Sequence, residues 1–128
     1  MKKSLIFVFS AIIMSFCMSS CHKVPKEPDK VAIYFVQNLQ DENYEKCIKL
    51  NVSCDSTSDE YRQNIKNLYK IMVRNKKEKN GNLKDIEHVS TNIKNNMASV
   101  LLKLTYSNDS SETILIPLFQ KDSRWRLR

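Results

Sequence analysis

The hydrophobic period of this chain changes once, beside Gly81, its only glycine. Ahead of that residue apolar side chains recur every three or four positions, and beyond it they alternate. A change from a helical period to a period of two dictates helices first and strands second. The first helix is expected over Asp29–Gln40, where Val31, Ala32, Phe35, Val36 and Leu39 share a face that Ile33 and Tyr34 broaden. Pro28 suits its first turn, where a missing N–H is not needed. Asp41-Glu42-Asn43 reads as a turn, and Tyr44–Leu50 as a short second helix burying Tyr44, Cys47, Ile48 and Leu50. After a loop over Asn51–Ser58, a long third helix should run from Asp59 to about Lys79. Ser58 is its expected N-cap, with Asp59 and Glu60 at the positive end of the helix dipole. Tyr61, Ile65, Leu68, Tyr69 and Met72 trace its expected buried stripe. Gly81 suits a left-handed cap.

Four strands follow. Asp85–Ile93 is the first, and Ala98, Val100, Leu102, Leu104 and Tyr106 give the second a clean alternation. Asn108-Asp109-Ser110-Ser111 turns into a third strand, Glu112–Gln120, in which Pro117 argues for an edge position or a bulge. Lys121-Asp122-Ser123 turns again into Arg124–Arg128, with Trp125 and Leu127 facing the core. Three N-terminal helices packed on one face of a four-stranded antiparallel meander make an α+β domain.

The N-terminus points to export. Lys2 and Lys3 precede an apolar run, and small residues close it. These are the three parts of a secretory signal. Leu5 to Met18 is fourteen residues, short of the roughly 20 that span a bilayer as a helix. Met18-Ser19-Ser20-Cys21 resembles the lipobox of bacterial lipoproteins, which implies a signal peptide over residues 1–20 and acylation, palmitate included, of Cys21. Cys17 is a poorer cleavage point, because Phe16 before it is bulky. Residues 21–28 then form the lipid anchor and a Pro-containing tether, and 29–128 form the domain. Several acyl chains at about 0.8 kcal/mol per methylene make a stable anchor.

Loss of Lys2 and Lys3 with the signal lowers the net charge from +7 to +5. A mildly basic exported protein could meet anionic lipid, a glycan or an acidic envelope protein; nucleic acid is not an expected partner. Of the four cysteines, Cys47 and Cys54 stay in the domain. In an exported chain they suggest a local disulfide, with two free thiols as the alternative. A metal site using His88 lacks a fourth ligand and the spacing such sites need.

No catalytic motif is present. Glu87-His88 has no second histidine four residues on, no serine elbow occurs, and one glycine cannot build a phosphate-cradling loop. Tyr34, Tyr44, Tyr61, Tyr69 and Tyr106 could line a pocket, but they are expected in the core. Arg62, Lys66, Lys70 and Arg74 recur every four residues and are expected to form a cationic stripe on the side of the third helix away from the core. Such a stripe is either a solvated face or a contact for anionic lipid, glycan or an acidic partner.

The succession Val31-Ala32-Ile33-Tyr34-Phe35-Val36-Gln37-Asn38-Leu39, Asp41-Glu42-Asn43-Tyr44-Glu45-Lys46-Cys47 and Lys121-Asp122-Ser123-Arg124-Trp125 resembles small lipoproteins of domain-of-unknown-function 4878 type. The resemblance spans about residues 21–128. It implies a nuclear-transport-factor-two-like, cystatin-like cone in the envelope of Bacteroides-type bacteria, and no activity. Asn43 and Ser123 stand where the turns of that family carry glycine. The expectation is a non-enzymatic protein without cofactor or metal, anchored in the outer membrane, facing the periplasm and binding an envelope partner. A small-ligand carrier with a pocket under the sheet is the alternative, and a pocket enzyme of the same fold a weaker one.

Overall fold

The computed structural model describes residues 24–128; the expected signal peptide and Cys21 lie outside them. Helix α1 spans Pro28–Gln40, α2 Tyr44–Leu50 and α3 Asp59–Asn80, with a 3-10 turn at Val52–Cys54. Strands β1 (Leu83–Lys94), β2 (Met97–Tyr106), β3 (Ser111–Lys121) and β4 (Arg124–Leu127) pair antiparallel in sequence order. The expected element order is therefore observed.

Local chemistry accounts for the boundaries. Pro28 opens α1, and Ser58 Oγ accepts the Tyr61 amide at 3.2 Å to cap α3. The left-handed residue between α1 and α2 is Glu42 (φ 62), not Asn43 (φ −86). The Asn43 amide instead donates to the Asn38 carbonyl at 2.8 Å, closing the end of α1. Asn51 joins three parts of the fold. Its Oδ1 accepts the Ser53 amide at 3.0 Å, its Nδ2 donates to Tyr69 Oη at 3.1 Å, and its backbone bridges to Leu127.

The inward face of β2 (Ala98, Val100, Leu102, Leu104, Tyr106) is buried, as its alternation requires. Ile116 and Leu118 from β3 and Trp125 and Leu127 from β4 extend that face. Helix α1 lies across it, burying Val31, Ala32, Phe35, Val36 and Leu39. Leu102, Leu118, Val31, Val100 and Cys47 are fully enclosed, so the space beneath the sheet is packed with side chains. Phe35 meets Tyr69 edge-on, ring centroids 5.7 Å apart, the arrangement ring quadrupoles favour.

Two expectations are corrected. Helix α3 packs mainly on α1 and α2, and the face it buries carries Tyr69 and Val73, with Ile65 half-buried. Leu68 and Met72 are 55% and 54% exposed, and Tyr61 is exposed too. A helix docked on two narrow neighbours buries a narrower stripe than one laid on a sheet. Pro117 lies in an interior strand, and the β2–β3 register runs past it without a bulge. The Pro117 carbonyl accepts the Arg128 amide at 3.3 Å, so its nitrogen faces the side of β3 where β4 runs out and no ladder donor is missed. The register irregularities fall in β1 instead, at Lys84 and Val89.

Candidate functional site

Strained backbone and unpaired charge meet at the turn between β3 and β4. Asp122 (φ 52) and Ser123 (φ 65) both have left-handed backbones, the signature of a two-residue type I′ hairpin that glycine and asparagine enter more easily. The tight turn folds β4 back on β3, which places Trp125 and Leu127 in the core and Arg126 on the other face. Arg126 grips Asp55 with both terminal nitrogens at 2.5 Å and donates to the Lys49 carbonyl at 2.7 Å. Lys121 reaches the same carboxylate at 3.5 Å. The hydrogen bonds from Arg126 hold the Asp55 carboxyl below its ordinary range, aided by Lys121 and outweighing partial burial.

Beside this turn, the end of α2 and the residues ahead of α1 enclose an open cleft of about 730 Å³. Tyr34, Leu50 and Trp125 are buried side chains at its floor, and Val24 and Pro25 form an apolar wall. Burial foremost, with the nearby Cys47 sulfur, raises the Tyr34 phenol above its ordinary pKa and keeps it neutral. Lys26, Lys46, Lys49 and Arg124 stand around the rim, and none of them makes an ion pair among the described residues. Asp122 is the acid in the lining. The cleft therefore has an apolar base and, above it, four cations that make no ion pair among the described residues.

A second cluster lies at the other end of β3. Tyr106 Oη donates to Glu112, whose other oxygen takes Lys76 Nζ at 2.9 Å. Desolvation alone would raise the Glu112 pKa, but the Tyr106 and Lys76 hydrogen bonds outweigh it and the pKa is lowered. The Tyr106 phenol is pushed up, first by burial and then by Glu112. Sequence reasoning placed Glu112 at the start of the third strand and gave it no role. The signal was there: Glu112 begins the inward-facing series that continues through Ile114, Ile116 and Leu118, and it pairs with Leu104.

The other sequence-predicted residues are placed as follows. Cys47 and Cys54 are both buried and free, so the expected bridge is not formed in this structure. The Cys47 thiol donates instead to the Phe35 carbonyl at 3.7 Å, and burial pushes it up to about 12, which suppresses the thiolate that disulfide chemistry needs. The four-residue stripe borders the buried face of α3 rather than opposing it. Arg62 closes the preceding loop through the Cys54 and Thr57 carbonyls (3.3 and 3.0 Å) and pairs with Asp59 at 3.0 Å. Lys66 pairs with Glu45 at 3.3 Å. Lys70 and Arg74 line a shallow mixed-charge cleft with Glu42 and Glu78. Long basic side chains on such a border spread their stems over the apolar edge; Arg62 and Lys66 are taken up by ion pairs, whereas Lys70 and Arg74 are exposed and make none among the described residues. His88 is exposed and bonded to Thr91 Oγ1 at 2.6 Å. Among the described residues no cluster of three or more His, Cys, Asp or Glu side chains could hold a metal ion. None of the described helices is long and apolar enough to cross a membrane.

No protein-family model matches this chain, and no curated protein matches it. Among solved structures, a Campylobacter jejuni protein described as a "Putative NTF2-like transpeptidase" superposes with a TM-score of 0.66 at 20% identity, covering 79% of this chain and 96% of that one. This chain thus has the NTF2-like fold, three helices followed by a curved four-stranded antiparallel sheet. At that identity the likeness is one of fold.

Proposed function

We propose that the protein is a lipid-anchored component of the bacterial cell envelope whose NTF2-like domain is a non-enzymatic binding module. The anchoring half rests on sequence: a charged start, a short apolar run and Met18-Ser19-Ser20-Cys21, which resembles a lipobox. His22 is not the aspartate that marks inner-membrane retention in enteric bacteria, which favours the outer membrane, and no acidic run follows Cys21 of the sort that resembles surface-export signals, which favours periplasmic facing. The resemblance to small lipoproteins of domain-of-unknown-function 4878 type belongs to the same proposal.

The binding half is carried by one observation, the close packing beneath the sheet among the described residues. Five side chains are wholly enclosed between sheet and helices, where a carrier or a pocket enzyme of this fold would need open volume. The partly buried carboxylate of Glu112 is held acidic by Lys76 and Tyr106, so it is a weak base, contrary to what proton abstraction near neutral pH requires. Transpeptidation, suggested by the description of the C. jejuni protein, would find no ready thiolate in Cys47, whose thiol is buried and stays protonated. The recognition surface left open is the cation-rimmed cleft beside Trp125.

The test is membrane fractionation of the full chain with a clickable palmitate analogue, alongside Cys21→Ala. The wild type should be labelled and membrane-bound, and the variant unlabelled and released. An unlabelled or freely soluble wild type would sink the anchoring half. Intact-mass spectrometry of the purified protein addresses the other half: a co-purifying small molecule would replace the binding module with a carrier, whereas bare polypeptide that crosslinks to an envelope protein supports it.

A further inference from the structure

We propose that the cleft beside Trp125 is the face with which the domain lies against its own membrane, its rim holding the headgroups of anionic phospholipid. This rests on the anchoring reading above. Only Cys21 to Val24 separates the acylated residue from the wall of the cleft, and three extended residues reach about 10–11 Å at most. The Val24 wall of the cleft is therefore held within about 10–11 Å of the acylated residue, a little over the Debye length of about 8 Å at physiological salt. No comparable tether is required of the rest of the domain.

The chemistry of the cleft fits that position. Lys26, Lys46, Lys49 and Arg124 are without acidic partners among the described residues, and Asp122 is the single carboxylate opposing them in the lining. The neighbouring cations Arg126 and Lys121 are taken up by Asp55, so the rim is what remains available. Val24, half exposed beside the rim, supplies an apolar edge at the depth where lipid glycerol begins. Lysine suits this use: its long stem reaches a mobile headgroup while its ammonium stays hydrated. A soluble anionic ligand would be better served by an enclosed site with directed donors. This cleft is open and offers point charges.

Trp125, the only tryptophan of the chain, lies at the cleft floor and reports on it. Full-length acylated protein is inserted into vesicles of phosphatidylcholine, or of an equimolar mixture with phosphatidylglycerol, each containing a lipid with a nitroxide headgroup. Flotation is scored first, then quenching of Trp125. Each cation near an anionic surface shifts the docked-to-undocked ratio about fivefold. Quenching should be strong in the mixed vesicles, weak in the neutral ones, and lost at 1 M salt, where the Debye length is about 3 Å. Lys46→Gln with Lys49→Gln should lower the docked ratio about 25-fold, whereas Lys70→Gln with Arg74→Gln, on α3, should leave quenching as it is. Protein that floats with both vesicles but shows equal or no quenching overturns the docking while leaving the anchor intact. Protein that does not float refutes the anchor and the docking with it. A Trp125 response to monomeric dihexanoyl-phosphatidylglycerol without vesicles would assign the cleft to a soluble amphiphile and also overturn the proposal.

Discussion

Replacing Gly81 by alanine tests whether one residue couples the helical half of the molecule to the sheet. Gly81 has φ 85 and ψ −165, a region essentially confined to glycine and costing a side-chain-bearing residue about 1–3 kcal/mol. The surroundings fix that conformation. The Gly81 amide donates to the Lys77 carbonyl at 2.9 Å, and its neighbours Asn80 and Asn82 accept the amides of Asn108 and Ser107 at 3.2 and 2.8 Å. The β2–β3 turn is thus bonded to the chain on both sides of Gly81, and the backbone cannot relax without breaking one of those bonds. An added methyl would overlap Ser107 Oγ and come within 3.4 Å of Ser107 Cβ. The serine hydroxyl can turn away, which adds about 0.5–1.5 kcal/mol of rotamer strain. Stiffening of the unfolded chain offsets about 0.4–1 kcal/mol. The net expectation is destabilisation of about 2 kcal/mol, or a fall in Tm of about 8–16 °C for a domain of this size. Urea unfolding followed by circular dichroism measures it, with Gly81→Ala/Ser107→Ala as the partner variant. Removing Oγ should restore less than half of the loss, because the dihedral penalty persists. A variant within about 0.5 kcal/mol of wild type, or complete rescue by Ser107→Ala, would refute the reasoning.

Ser123→Gly should stabilise the protein by about 0.5–1 kcal/mol, seen as a raised urea midpoint, because it relieves a left-handed side-chain-bearing residue in the β3–β4 turn. Leu68→Gln and Met72→Gln should each change stability by less than about 0.5 kcal/mol, since both side chains already face solvent. Val73→Ala should lose about 2 kcal/mol for two buried methyl groups; chemical denaturation of the three variants separates the structural face of α3 from the one its sequence suggests. Ellman titration should find Cys47 and Cys54 both reactive in denaturant without reductant and Cys47 slow in the native state; oxidised cysteines would contradict the free thiols. The native Asp55 and Glu112 pKa values lie below their unfolded ones, so their stabilisation is present above the ordinary carboxylate range and is lost as pH falls through the depressed native values. Asp55→Asn and Glu112→Gln should therefore flatten the acid limb of a stability–pH profile, and an unchanged limb would exclude those contacts as its source.

What was legible in the sequence was whatever depended on local periodicity. The alternation Ala98 to Tyr106 has one possible burial pattern, because shifting a strand by one residue exposes every apolar side chain. The cap at Ser58 and the inward Trp125 and Leu127 followed from equally short-range rules. Helix α3 was different. It carries two apolar series, Ile65-Tyr69-Val73 and Leu68-Ile71-Met72, and both are helical in period. Which is buried depends on where α1 and α2 lie, and no window of sequence contains that information. The basic stripe went astray for the same reason: once Tyr69 and Val73 turn inward, Arg62 and Lys66 fall on the border. The cleft residues were harder still. Lys26, the pair Lys46 and Lys49 on α2, and Arg124 sit in three separate segments, and only the return of β4 beside α2 brings them together.

The packing of the interior constrains what kind of recognition is left to this protein. An NTF2-like cone can in principle enclose a ligand under its sheet, where a few directed hydrogen bonds in a dry pocket give tight and selective binding. Here Leu102, Leu118, Val31 and Val100 occupy that volume, and the carboxylate–tyrosine pair at its margin is closed by Lys76. For the binding module proposed above, recognition falls to the surface, where groups stay hydrated and single charge pairs are weak and screened by salt. Affinity there comes from number and from proximity. The rim offers four like charges, and an anchor at Cys21 would raise the effective concentration of the bilayer at that rim far above that of any free ligand. On that proposal, weak, salt-sensitive contacts are sufficient to set the orientation of the domain, and the exposed apolar residues of α3, Leu68, Ile71 and Met72, stay uncovered.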